Sequence, residues 1–308
     1  MKTIHELVQD HVAGYTARRC HAHGIEIRRW RLEAFARWLE QTVGVRMPNQ
    51  LQTEHVEKWL IMFSARRVPV TGLPLKASTI EAVAKIVRLF CRWLGDKGFA
   101  VRGLSGAFEG MRKAQLLPRA TPAHPEIRRL LQAMPQSTVI QQMARTVAEV
   151  LYSSGMRPCE LLAMNVDDVD FDHGVAKVLG KGQRERMVFL GKIALHSLET
   201  YIVGVRPLRL RSPRQTALWL NCNGERLHYE TMRSLLVDHL PKVEGKPMTA
   251  YVFRRAYATE LIRSGASPWM VKEGLGHTHL NLLAHYVQLT INDLKKTHAR
   301  CHPRDRLE

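Results

Sequence analysis

The feature that most constrains the fold is a break in periodicity. Before residue 99, apolar side chains recur at helical spacing. Between 99 and 125 no period survives, and beyond 125 helical segments alternate with a stretch of two-residue alternation. Helices are expected over Thr3 to Arg19, over Ile25 to Val43, over Thr53 to Arg67 with Thr53 as cap, and over Ser78 to Lys97. In the last of these Ile80, Val83, Ile86, Val87, Phe90, Trp93 and Leu94 form the apolar stripe. The segment 68–75 holds two prolines and a glycine and reads as a loop. Gly103, Gly106, Gly110, Pro118, Pro122 and Pro125 interrupt the next stretch, while Arg102, Arg112, Lys113 and Arg119 make it basic. A chain of 308 residues divided this way is long enough for two cores. The expected organisation is a helical domain over 1–110, a basic linker over 111–124 and a second domain over 125–308.

The second part changes character. Helices are expected over Glu126 to Met134 and Val139 to Ser153. Val175 to Leu179 and Met187 to Leu190 then read as the two strands of a hairpin around the turn GKGQ, and 217–221 as a further short strand. Helix returns from Tyr229, with breaks near Gly245 and Gly265. The fold class is therefore mainly α with a small antiparallel sheet.

Charge narrows the function. The chain carries 46 Lys plus Arg against 28 Asp plus Glu, a formal net of +18 with a pI near 10.1. Residues 1–118 and 119–308 each contribute +9, so the excess is no basic tail and points to a polyanion met by both halves. No run approaches the roughly 18 apolar residues of a membrane span, and the N-terminus shows no signal-peptide pattern. A cytoplasmic protein is expected. Cys20, Cys91, Cys159, Cys222 and Cys301 are far apart, with no C-x-x-C, so neither a zinc ribbon nor a disulfide framework is indicated.

Five places in the second part carry side chains suited to phosphoryl transfer. In 153–164, Gly155 ends one helix and Pro158 starts another. Arg157 sits at the turn between them with Glu160 three residues on, a planar fork held by a carboxylate. Lys181 lies between glycines at the hairpin tip. A P-loop is rejected there, because five residues separate Gly174 from Gly180 and Gly182 follows the lysine. Tyr251 and Arg254 stand at i, i+3 and are expected on one helix face. Gly274 and Gly276 break the next helix and place His277 at a turn. His277, His279 and His285 have no acid or cysteine cluster to complete a metal site. Tyr286 follows His277 by nine residues.

In this order and spacing the residues resemble the tyrosine recombinases, the phage integrase family. The pattern is R-x-x-E, a G-K-G hairpin lysine, a second Arg in R-R-A-x-A-T, then L-G-H, then a tyrosine. The steps of 24 residues from Arg157 to Lys181, 23 from Arg254 to His277 and nine from His277 to Tyr286 are similar to those of the Xer recombinases. The resemblance covers about residues 125–300. It implies a two-domain DNA clamp, a helical core-binding domain plus a catalytic domain. It further implies a site-specific recombinase with Tyr286 as nucleophile, a 3′-phosphotyrosyl intermediate, Arg157 and Arg254 as phosphate clamps, and Lys181 as general acid. His277 and Tyr251 are then hydrogen-bond donors and Glu160 orients Arg157. No cofactor and no metal is implied. The implied partners are a double-stranded DNA site, a tetramer of the chain on two sites and a possible partner recombinase. Where the family usually carries His, three residues before the second Arg, this chain has Tyr251, which bears on the rate and pH dependence of catalysis. Two other readings stay open: a DNA-binding accessory protein of the same fold with weakened activity, and a type IB topoisomerase-like activity. The sequence does not distinguish dimer resolution, transposition and phage integration.

Overall fold

A computed structural model describes residues 2–18, 22–100, 103–110, 121–180, 184–276 and 298–299. The chain divides into two compact units, Met1–Leu116 and Leu117–Glu308.

The first unit is helical. Its elements are α1 (Ile4–Ala17), α2 (Ala22–Trp38), α3 (Thr53–Ser64) and α4 (Ala77–Asp96). Thr3 caps α1 in a reciprocal box with Glu6, which satisfies two of the orphan N–H groups at a helix start. α2 continues into a π-helical turn over Leu39–Val43 that ends at Gly44, in the left-handed region at φ 77°. Thr53 is the first helical residue of α3 rather than its cap. Gln52 takes that place, its backbone N–H donating to His55 Nδ1 at 3.3 Å. Between the helices lie Phe35, Trp59, Phe63, Phe90 and Leu94, all buried. Each such side chain contributes about 1.5–3 kcal/mol by leaving water. His11 is also buried there, its ring 5.0–5.3 Å from those of Tyr15, Phe90 and Trp93. The exposed face of α4 carries Lys85, Arg88 and Arg92.

The second unit holds α5 (His124–Ala133), α6 (Val139–Ser154) and α7 (Pro158–Ala163). A three-stranded antiparallel sheet follows, formed by β1 (Val169–Asp170), β2 (Val175–Leu179) and β3 (Glu185–Phe189) in that order. Then come α8 (Lys192–Thr200), α9 (Arg206–Arg209), α10 (Tyr229–His239), α11 (Ala250–Arg263) and α12 (Pro268–Leu275). β2 and β3 pair with Ala176 opposite Val188 and Leu179 opposite Glu185. Ala176, Val178 and Val188 face the core, while Leu179, Met187 and Phe189 stay exposed, the alternation expected of a one-sided hairpin. The Gly180 N–H donates to the Arg184 carbonyl at 2.8 Å, at the turn end of the hairpin.

The expected strand over 217–221 does not form. Ala217 and Leu220 make only isolated bridges, to Asn165 and Arg226. Buried Arg206 donates to the Ala217 carbonyl at 3.0 Å and, just ahead of the segment, to that of Gln215 at 2.6 Å. Its apolar character reflects burial, with Leu218 and Trp219 fully enclosed in the core. Among the described residues no helix is long and apolar enough to cross a membrane.

Candidate active site

Two glycines shape the site. Gly155 closes α6 at φ 59° and Gly276 closes α12 at φ 63°, both in the left-handed conformation that helix C-caps favour. Neither position has room for a side chain. A Cβ on Gly155 would overlap the ring of Tyr257, and one on Gly276 would lie 2.7 Å from Arg186 Nε.

From Gly155 the chain passes through Met156 to Arg157, which adopts extended geometry ahead of Pro158 at the start of α7. Glu160, fully buried in the first turn, accepts from the Arg157 backbone N–H at 2.7 Å and from Arg157 Nη1 at 2.7 Å. The expected Arg–Glu pairing is present. Burial pushes the Glu160 carboxyl up, but the Arg157 N–H and the Arg186 and Arg157 guanidiniums outweigh it. The group therefore lies below the ordinary carboxylate value.

Arg254 lies on α11 and is fully buried. Its Nη1 donates to the Gly155 carbonyl at 2.6 Å and its Nη2 to the Leu275 carbonyl at 2.8 Å. Tyr251, three residues earlier, is 46% exposed. Tyr251 and Arg254 thus stand one turn apart on α11, Arg254 buried and Tyr251 exposed.

The end of α12 draws the site together. Helix C-termini leave carbonyls without intrahelical donors. Here three successive carbonyls, those of Gly274, Leu275 and Gly276, are taken by three arginines from three different elements. Arg186 of β3 donates to Gly274, Arg254 of α11 to Leu275, and Arg157 to Gly276 at 2.8 Å. Guanidinium groups at a helix C-terminus are also favoured by its dipole. Gly274 lies inside α12, so the break ahead of His277 is Gly276 alone. His277, Tyr286 and Lys181 fall outside the described residues.

Arg186 is a participant that motif reading passed over. It donates to Glu160 Oε2 at 2.7 Å, so one buried carboxylate holds two guanidiniums. The available signal was an arginine on β3 two residues before the inward-facing Val188. Cys159 is exposed next to this corner. Among the described residues no group of three or more His, Cys, Asp or Glu side chains lies together.

Residues 123–292, more than half of the chain, match the model of the phage integrase family. The chain belongs to the phage integrase family. Within it, the chain is 33% identical over 184 residues to tyrosine recombinase XerC of Pelotomaculum thermopropionicum, covering 58% of this chain and 60% of that one. It is 28% identical over 280 residues to XerD of Listeria monocytogenes, covering 89% and 90%. The chain thus spans less than two thirds of the first relative and most of the second. The fold is similar to that of the Tn1549 transposon integrase in complex with transposon right end DNA. That match has a TM-score of 0.74 at 15% identity and covers 97% of this chain and 99% of that one. The mainly helical architecture with its small antiparallel sheet is thus the fold seen among integrases.

Proposed function

We propose that this integrase-family chain is a site-specific DNA recombinase that cleaves and rejoins strands through a 3′-phosphotyrosyl link, without ATP or metal. The observation that carries the reading is the convergence of Arg157, Arg186 and Arg254 on three successive carbonyls at the end of α12, directly ahead of His277. A phosphodiester undergoing displacement gathers negative charge on its non-bridging oxygens, and fixed guanidiniums stabilise that charge without reorganising. In this reading Arg157 and Arg254 hold the scissile phosphate and Glu160 orients Arg157. His277 and Tyr251 donate hydrogen bonds, Tyr286 attacks phosphorus, and Lys181 protonates the departing 5′-oxygen. The 5′-hydroxyl of a partner strand then displaces Tyr286, so the phosphodiester energy is conserved.

Residues 1–110 act as the core-binding domain, 111–124 as a basic linker and 125–308 as the catalytic domain. The substrate is a double-stranded recombination site in the cytoplasm. Exchange takes a tetramer on two sites, with a partner recombinase where the two half-sites differ. The steep basic balance predicts binding that weakens with salt.

The test is covalent trapping. Nicked duplexes from a random-sequence library are incubated with the protein in EDTA without ATP, and DNA that migrates with protein after denaturation is collected. The parent yields an adduct on the 3′-phosphate end of the cleaved strand, the other end leaving as a free 5′-hydroxyl. Tyr286→Phe retains DNA binding and yields none. An adduct that requires metal or ATP, or one that survives Tyr286→Phe, contradicts the proposal.

A further inference from the structure

We infer that Arg186 is a positioning residue for strand cleavage, one that holds the Arg157 guanidinium in place through Glu160 and the end of α12; the inference rests on the recombinase reading above. The Glu160 carboxylate is the hub. Its Oε1 accepts from Arg157 Nη1 at 2.7 Å, and its Oε2 accepts both the Arg157 backbone N–H and Arg186 Nη2, each at 2.7 Å. Arg157 alone reaches both oxygens, so without an anchor from another element the carboxylate and this arginine can shift together. Arg186 supplies that anchor from β3, as a second donor to Oε2. It also grips the Gly274 carbonyl, while Arg157 grips Gly276 two residues on. Hairpin, turn and helix end are thereby tied into one unit by a single side chain.

Exposure separates the two arginines. The Arg157 side chain is 24% exposed, that of Arg186 15% and that of Glu160 0%. Both arginines have each terminal nitrogen on a protein acceptor, so it is the greater exposure of Arg157 that leaves it the more open face. Gly276 leaves no slack between them. A Cβ there would meet Arg186 Nε at 2.7 Å, Arg186 Cδ at 3.0 Å and Arg157 Nη1 at 3.5 Å. The turn end of the hairpin passes the same hub, since a Cβ on Gly180 would lie 3.5 Å from Glu160 Oε1. Loss of Arg186 removes one of the three hydrogen bonds to the carboxylate and the donor to the Gly274 carbonyl, which loosens the hub and lets Arg157 drift from its line to the phosphate.

The experiment compares single-turnover cleavage of two trapped duplexes by the full chain. One carries the ordinary scissile phosphate and the other a methylphosphonate, which lacks the charged non-bridging oxygen that Arg157 serves. The variants are Arg186→Gln, Arg186→Lys and Arg157→Gln. Arg186→Gln is expected to slow cleavage of the phosphate roughly ten- to a hundredfold, the scale of one lost charge-assisted hydrogen bond. On the methylphosphonate its defect shrinks to a few-fold, in the pattern of Arg157→Gln, because a misplaced cation matters less to a neutral ester. Arg186→Lys keeps the charge and one contact and falls between Gln and parent on the phosphate. Should Arg186→Gln fail to fold, the ratio of the two esters for Arg186→Lys decides. Equal slowing on both esters assigns Arg186 to general stability and overturns the inference, as do parent-like rates in both variants. If the parent itself forms no adduct on either ester, the recombinase reading fails, a result distinct from these.

Discussion

The two units bury charge differently. In the first, the one buried polar or charged side chain among the described residues is His11, and cations such as Lys85, Arg88 and Arg92 face solvent. In the second, Glu149, Glu160, Arg206 and Arg254 are buried, each arginine committed to backbone carbonyls. Burying a charge is costly unless acceptors are in place, so it persists where position matters. A solvated arginine attracts a phosphate from any direction, whereas one pinned to two carbonyls presents its remaining donors in one. The contrast separates a surface suited to affinity from an interior suited to chemistry.

The largest effect is expected where that interior is cut. Arg254→Met leaves the carbonyls of Gly155 and Leu275 without this donor. At about 1–3 kcal/mol for each buried group, it should destabilise the second unit by about 2–6 kcal/mol. Arg88→Gln in the first unit should change stability by no more than about 0.5 kcal/mol. Urea denaturation of both variants measures the difference, and equal losses would break the comparison.

One glycine substitution made in both units sharpens it. Gly44 and Gly155 both have positive φ, but a Cβ on Gly44 meets nothing within 4 Å while one on Gly155 collides with Tyr257. Gly44→Ala should cost about 1–2 kcal/mol of backbone strain. Gly155→Ala adds about 1–3 kcal/mol of overpacking to the same strain, and slows cleavage because its carbonyl holds Arg254. Melting temperatures of the two variants separate these cases.

The first unit's own buried ionisable group predicts a pH effect. Burial, with the charges of Arg18 and Arg28, pulls His11 down to about 4 from its usual 6.5. The unfolded chain binds the proton more readily. Stability is therefore full above pH 6.5, falls as pH drops towards 4 and changes no further below, a loss of up to about 3 kcal/mol. In His11→Leu that window should flatten. A parent whose first-unit stability is level between pH 6.5 and 4 would contradict the placement of His11.

The smallest expected effect lies on the exposed face. If Arg88 meets a phosphate, Arg88→Gln reduces the slope of log binding constant against log salt by about 0.9 and leaves site preference unchanged. Fluorescence anisotropy across a salt series reads that slope.

How much of this was legible follows from the range of each interaction. The α4 stripe and the β2–β3 alternation repeat every few residues, so periodicity reveals them. The Arg157–Glu160 pair spans one helical turn and was readable for the same reason. Arg186 reaches Gly274 and Arg157 reaches Gly276 across 88 and 119 residues. No local pattern encodes which carbonyls three arginines share, and Arg186 stayed hidden in a basic hairpin. The partners of 217–221 likewise lie outside the segment, the Leu218 N–H going to the Met164 carbonyl and the Ala217 carbonyl to Arg206, so no local pattern shows that the strand fails to form.

The central claim is that the arginine corner of the second unit serves a phosphate attacked by Tyr286. The direct measurement is the residue that carries the DNA. Protein trapped on a nicked duplex is digested with nuclease and protease, and its peptides are sequenced by mass spectrometry. The account predicts a nucleotide remnant on the peptide spanning Tyr286, at its phenolic oxygen. A remnant on Tyr251, on Tyr257 or on any other side chain would contradict it.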